Sequence, residues 1–320
     1  MLRNRLRTGL FILVMIVSFT SFYIVAYSGL ANEAEFASGS GKADDPYIIE
    51  TAEQLNNVRF HLDQHFELGG DIDLGAYLSS GGTGYDRWGE SGWLPIGGGA
   101  GDFTGTFNGV GFEISGLKIN RNGAGLFERI GQDGVVEHLV LSDVDIVSGA
   151  IANGSVARYS EGLIQHVIVN GLRVQVSTDR YYLGGIVGNN SGTVQFVTIK
   201  EGVLIGGYRV VGGVVGRNHG GFIQHVSYEG SIQNEDGQVG GIVGRNNNGI
   251  IQFAQVSGEV ISSGSDVGGL VGLNDSLSGN TALIRYSHTN TFVQGESRVG
   301  GLVGSDINGS IVENVYTMVM

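Results

Sequence analysis

The chain has 320 residues, of which 57 are Gly and 2 are Pro, and hydrophobic residues make up 41%. A glycine share of about 18%, against an average near 7%, has no every-third-residue period here, which excludes collagen, and the apolar content excludes disorder. The net charge of −13 sets the surface against phosphate backbones and anionic head groups, so no nucleic-acid partner is expected. With no cysteine, a disulfide framework and Cys-ligated zinc are excluded too.

At the N-terminus, Arg3, Arg5 and Arg7 precede an apolar run from Leu10 to about Tyr27, followed by Gly29-Leu30-Ala31. A basic stretch, an apolar stretch and a small-x-small site read as an export signal over residues 1–31. The run is nearly long enough to span a bilayer, so an uncleaved anchor with its arginines inside is the alternative. Either reading places the rest outside the cytoplasm, extracellular or on the cell surface.

Residues 32–120 differ in texture from the remainder of the chain and are expected to cap a repetitive fold, whose first coil otherwise exposes a strand edge. Thr51 as N-cap with Gln54 three residues on predicts a short helix. Strands are expected at 66–68, 71–74, 93–96, 103–107 and 112–119. His61 and His65 carry the i, i+4 spacing of one helix face, but Leu62 stands where a zincin needs Glu, so a surface helix is expected and no metal site. Asp71 and Asp73 lie on one side of a strand, where paired carboxylates can hold calcium or cleave glycosides. They equally suit solvated positions alternating with Ile72 and Leu74. A Gly-rich loop from Ser79 to Gly92 carries Tyr85 and Trp88, candidate sugar contacts, and Trp93 comes next as a core residue.

The repeats begin near residue 121. The pair Gly184-Gly185 with Gly188 recurs as Gly212-Gly213 with Gly216, Gly240-Gly241 with Gly244, Gly268-Gly269 with Gly272, and Gly300-Gly301 with Gly304. The second glycines are 28, 28, 28 and 32 residues apart, and weaker copies at Gly125 and Gly154 extend the ladder upstream. Ile164-Gln-His-Val, Val194-Gln-Phe-Val, Ile223-Gln-His-Val and Ile251-Gln-Phe-Ala form a second column, and Asn190, Asn218, Asn246, Asn274 and Asp306 a third. Ile284 falls late in its repeat, which marks a loop inserted between the columns. Three short strands in about 28 residues suit one coil of a parallel β-solenoid, whereas a propeller blade takes ~40–45. About seven coils, right-handed as parallel crossovers are, define an all-β solenoid over 121–320 with an incomplete last coil. Glycines are expected at corners that need close approach or positive φ, and the Asn/Asp column is expected to be structural.

The repeated Gly-Gly-[Ile/Leu/Val]-Val-Gly, with its Asn and a downstream Ile-x-x-Val, resembles the GLUG motif of bacterial secreted and surface proteins, among them large adhesins and IgA-cleaving metallopeptidases. The resemblance runs from about Gly123 to Tyr316. It implies a scaffold or adhesive module and brings no catalytic residues with it.

Two further groups stand out in the repeats. Asp143 and Asp145 alternate with Val144 and Ile146, as a solvated face does. His138, His166 and His225 share a column that also holds Phe196, Phe253, Tyr286 and Asn314, a pattern of bulk rather than of metal ligands. No cofactor and no metal are expected. The reading is a non-catalytic extracellular or cell-surface scaffold whose partners are surface glycans or host or envelope proteins. A carbohydrate-active β-helix enzyme built on Asp71 and Asp73, or a fragment of a larger surface protein, is the alternative. The apolar end at Val315 to Met320 is expected to need a further domain or subunit.

Overall fold

The structure, a computed structural model, describes residues 35–99, 101–176, 181–277 and 280–317; the expected export segment lies outside them. One repeat shows how a coil is made. Val215–His219 is a short strand; after a turn at Gly220 and Gly221 the chain runs as one long bent strand, Phe222–Gly240. It bends where φ turns positive, at His225 (51°), Gly230 (156°) and Gly237 (111°), and pairs with the coils on either side between the bends. Between the bends Ile223, Val226, Tyr228, Ile232 and Val239 turn inward and are buried.

Short strands stack into a seven-stranded parallel sheet, from Phe127–Ile130 to Val303–Ile307, and the long strands form a second parallel sheet. Register is strict. Val187, Val215, Val243, Val271 and Val303 are successive partners in one sheet, and Val194, Ile223, Ile251, Ile284 and Val312 in the other. The fold is the expected parallel β-solenoid of about seven coils, each closing its neighbour's apolar face because none can close its own. The longer 32-residue interval is taken up between strands Val271–Asp275 and Leu283–Arg285.

The ladder also reaches upstream of the repeats. Tyr47–Ile49 pairs with His65–Leu68, that strand with Thr106–Asn108, and that one with Val135–Ser148, all parallel. The short helix Ala52–Asn57 has its capping box: Gln54 N donates to Thr51 Oγ1 and Thr51 N to Gln54 Oε1, both at 3.2 Å. Other local expectations are corrected. The stretch read as a loop carries a helix, Thr83–Trp88, just after another at Leu74–Leu78. The earlier helix starts because Asp73 Oδ1 accepts from Ala76 N at 3.0 Å, and it buries Leu74, Tyr77 and Leu78. Residues 93–96 form no strand; Ile96 joins the ladder through a single bridge to Phe127. The strand expected over 112–119 splits at Gly116, where φ is 69°, into Glu113–Ser115 and Lys118–Asn120.

The repeat glycines lie where backbones meet. A Cβ on Gly213 would sit 2.0 Å from the carbonyl oxygen of Gly241 on the next coil. One on Gly216 would sit 2.7 Å from Gly188 O on the coil before. Close approach, not left-handed φ, is what these positions demand. Many of the left-handed bends are held instead by non-glycine residues such as His225 and Phe253.

The Asn column runs through the wall as a chain of amides. Asn190 Nδ2 donates to Asn218 Oδ1 at 2.9 Å, Asn218 to Asn246 at 2.9 Å, Asn246 to Asn274 at 2.8 Å, and Asn274 to Asp306 Oδ1 at 2.8 Å. The second Nδ2 hydrogen goes to a turn carbonyl of the same coil, as from Asn218 to Gly221 O at 2.9 Å. Asn190, Asn218, Asn246 and Asn274 are fully buried. Upstream the chain of amides stops at Ser160, the register partner of Asn190, and both Ser160 Oγ and Asn190 Oδ1 are left without a partner.

Two sets of substitutions test these columns by urea denaturation. Gly213→Ala is expected to cost about 3 kcal/mol or more, since a backbone must move. Gly220→Ala, at φ 74° with open space around it, is expected to cost only the left-handed penalty of about 1 kcal/mol. Asn246→Ala orphans buried partners on both sides and is expected to cost about 2–4 kcal/mol, while Ser160→Asn extends the ladder and is expected to add about 1 kcal/mol.

Candidate functional site

The residues singled out in the N-terminal region have local duties. Tyr85 is half-buried, and its hydroxyl donates to Glu90 Oε1 at 3.0 Å; that bond, with the carboxylate's charge, pushes the phenol's pKa up. Trp88 packs on the core, edge-on to Tyr77 at 6.2 Å and to Trp93 at 5.5 Å. The Arg59 guanidinium lies 5.5 Å from both indoles and donates to Leu94 O at 2.9 Å, and burial lowers its pKa to about 10. Trp93 is fully buried, its Nε1 donating to Leu126 O at 3.2 Å.

The surface helix expected at His61 and His65 is corrected: helical structure ends at Phe60, and His65 opens a strand because Phe66 and Leu68 must alternate into the core. Asp71 Oδ1 accepts from Glu113 N at 2.9 Å, while Asp73 caps a helix. Asp145 faces Arg173 at 3.8 Å, and Asp143 stands at a left-handed bend, φ 51°. Among the described residues no three His, Asp or Glu side chains gather as a metal site.

His138, His166, Phe196, His225, Phe253 and Tyr286 form one exposed stack along the solenoid, with ring centroids 4.7–5.3 Å apart and planes within 15°. Both faces of the four inner rings are covered by their neighbours, so these rings show water only their edges. Beside it runs a second amide chain: Arg285 Nε donates to Gln252, Gln252 to Gln224, Gln224 to Gln195, Gln195 to Gln165, and Gln165 to the Glu137 carboxylate, at 2.7–2.9 Å.

At another corner two columns converge on a groove of about 1040 Å³. One consists of the residues just before each branched repeat position: Tyr182, Val210, Gln238, Asp266 and Arg298. The other is the third residue of the short strands, where Asn189, Arg217, Arg245, Leu273 and Ser305 are register partners. Side chains meet across it. The Arg217 guanidinium lies 5.4 Å from the Tyr182 ring, and Ser305 Oγ donates to Asp266 Oδ1. Asp266 also accepts from Arg298 Nε at 2.6 Å, and Arg245 pairs with Asp275 at 3.0 Å. Arg209, exposed at the rim, has no acidic partner among the described residues. Gln238 Oε1 and Arg245 Nε are buried with no partner. The bend at this corner holds non-glycine residues at positive φ: Arg209 at 124°, Asp266 at 64° and Arg298 at 50°. Strained backbone of this kind gathers at binding sites.

Sequence reasoning missed this groove. The available signal was internal: where the surrounding motif repeats nearly unchanged, the position before it reads Tyr, Val, Gln, Asp, Arg.

No protein-family model matches the chain. Over 174 residues it is 41% identical to a protein of Evansella cellulosilytica provisionally named a Gly-rich membrane protein, a match taking in 52% of this chain and 19% of that one. Over 165 residues it is 36% identical to halomucin of Haloquadratum walsbyi, taking in 49% of this chain and 2% of halomucin. The chain thus spans about a fifth of one curated relative and far less of the other. A crystal structure from Bacteroides ovatus, of a protein provisionally named an immunoglobulin A1 protease, superposes with a TM-score of 0.57 at 20% identity, over 88% of this chain and 87% of that one. At that identity the likeness is one of fold. Among the described residues no helix is long and apolar enough to cross a membrane.

The groove's acid response stems from Asp266. Burial alone raises its pKa, but hydrogen bonds from Arg298 and Ser305 and the charges of Arg298 and Arg245 outweigh it, so the pKa lies below the ordinary 3.8. A depressed folded-state pKa gives stability that is present above the unfolded value and lost as pH falls through the folded one. Below about pH 4 the wild type is therefore expected to lose stability that Asp266→Asn does not, read as a flatter urea midpoint against pH for the variant.

Proposed function

We propose that this chain is an exported, surface-displayed repeat scaffold of the GLUG type, which binds glycans without transforming them. The observation that supports this most is the corner groove: a wall of in-register coils lines it with Gln238 and Arg245, each holding a buried polar atom without a partner. Positions fixed by stacked backbone lose little entropy on binding, which favours a ligand rich in hydroxyl groups. Similarity to a protein named for a membrane, and to one named a mucin, supports display at the cell envelope. The basic-apolar-small pattern of residues 1–31 supports export. The duties of Asp71 and Asp73 in the backbone account for both carboxylates without catalysis.

The test is retention of the labelled protein on a panel of glycans, matrix proteins and cell-envelope fractions, with polysaccharide turnover assayed in parallel. Retention on glycans without turnover is expected. Turnover that is lost in Asp71→Ala or Asp73→Ala would replace this reading with an enzyme, and retention on nothing in the panel would remove it.

A further inference from the structure

We propose that the corner groove binds an acidic oligosaccharide, its carboxylate held by Arg209 and its hydroxyls by Gln238 and Arg245; this rests on the scaffold reading above. The dimensions fit a chain of sugars. From Tyr182 to Arg298 the groove crosses four rung spacings of about 4.8 Å, roughly 19 Å in all. Its volume of about 1040 Å³ exceeds what a single sugar fills.

The chemistry of the lining selects the class. Gln238 Oε1 needs a donor and the Nε–H of Arg245 needs an acceptor, and both atoms are buried and unpartnered. A buried group left so is costly, and a hydroxyl, which donates and accepts, can serve either one once a side-chain rotation turns the atom to the groove. The half-exposed Tyr182 ring offers an apolar surface at one end, with Arg217 over it. At the other end the Asp266–Arg298 pair closes the groove.

Arg209 decides for an acidic sugar over a neutral one. It is an exposed guanidinium with no acidic partner among the described residues, and the groove's lining counts three arginines, Arg209, Arg245 and Arg298, against two carboxylates, Asp236 and Asp266. A guanidinium binds a carboxylate through two parallel hydrogen bonds, which makes it the fitting partner for a uronic or sialic acid. A polyphosphate backbone would meet the same arginine but also the repulsion of the whole surface.

The experiment uses the full chain and three probes: an oligogalacturonate, sialyllactose, and a neutral galactan oligomer matched in length to the first. Two variants accompany the wild type. Arg209→Gly is compatible with the fold, because Gly237 already occupies the same register position on the next coil. Gln238→Leu removes the unpartnered oxygen. Both are checked for an unchanged far-ultraviolet spectrum and a urea midpoint no lower than that of the wild type. The expected result is that at least one acidic probe binds, tenfold or more tightly than the neutral oligomer, with affinity falling as salt rises. Each variant is expected to weaken that binding tenfold or more. Equal affinity for acidic and neutral oligomers, no binding of either acidic probe, or acidic binding untouched by both variants overturns the proposal. In these cases retention on other glycans in the panel leaves the scaffold reading standing, whereas retention on nothing removes both.

Discussion

In-register stacking of parallel coils governs every feature of this molecule. Each side chain sits one rung, about 4.8 Å, from the residue at the same position on the next coil. A position is therefore a column, and a column must tolerate itself. Aliphatic columns such as Val187 to Val303 solve this as core. Glycine columns solve it where backbone from the next coil leaves no room for a Cβ, and the aromatic column by parallel stacking of rings. Buried amides solve it by donating head to tail. An amide chain has a direction, and a terminal amide at its acceptor end would be left with an NH₂ that has no next side-chain oxygen to donate to. Both chains close on a carboxylate instead: the Asn chain on Asp306 and the Gln chain, running the opposite way, on Glu137. Arg285 supplies the donor end of the second.

Much of this is legible in the sequence. The 28-residue period, the doubled glycines and the Asn column are all stacking constraints, so they recur at the pitch of the coil and give away the architecture. What stayed hidden has no period. The helices at Leu74–Leu78 and Thr83–Trp88 are too short for helical periodicity to show; the first depends on Asp73 as its cap, and the second packs Trp88 against the buried Tyr77 of the first. His61 and His65 carry a helical spacing by coincidence; the parallel ladder claims His65 for a strand. Close approach between coils and left-handed φ both call for glycine, and the sequence does not separate them. The structure does, giving the close approaches to glycine and many of the left-handed bends to His, Phe and Tyr.

The groove was hidden for a related reason. Repeat analysis rewards agreement between copies, and the groove is built from the position where copies disagree. Tyr182, Val210, Gln238, Asp266 and Arg298 succeed one another at a place whose neighbours are nearly invariant. Such variation is possible because the column borders the groove, where a side chain has partners other than its own copies. A residue there pairs across the groove instead, as Asp266 does with Ser305 and Tyr182 with Arg217.

That freedom has an electrostatic consequence. The chain carries 31 acidic residues against 18 lysines and arginines, so its mean field repels anions at a distance. Yet Arg209, Arg217, Arg245 and Arg298 gather at one corner, and among the described residues only two of them meet a carboxylate, Arg245 at Asp275 and Arg298 at Asp266. The lining of the groove counts three arginines against Asp236 and Asp266, so within a screening length of about 8–10 Å an anion reaching the corner meets a slight net attraction. A surface that is acidic overall and basic at one concave site favours small or sparsely charged anions over densely charged polymers. Repulsion grows with every charge left outside the groove, while attraction is limited to the few arginines within it.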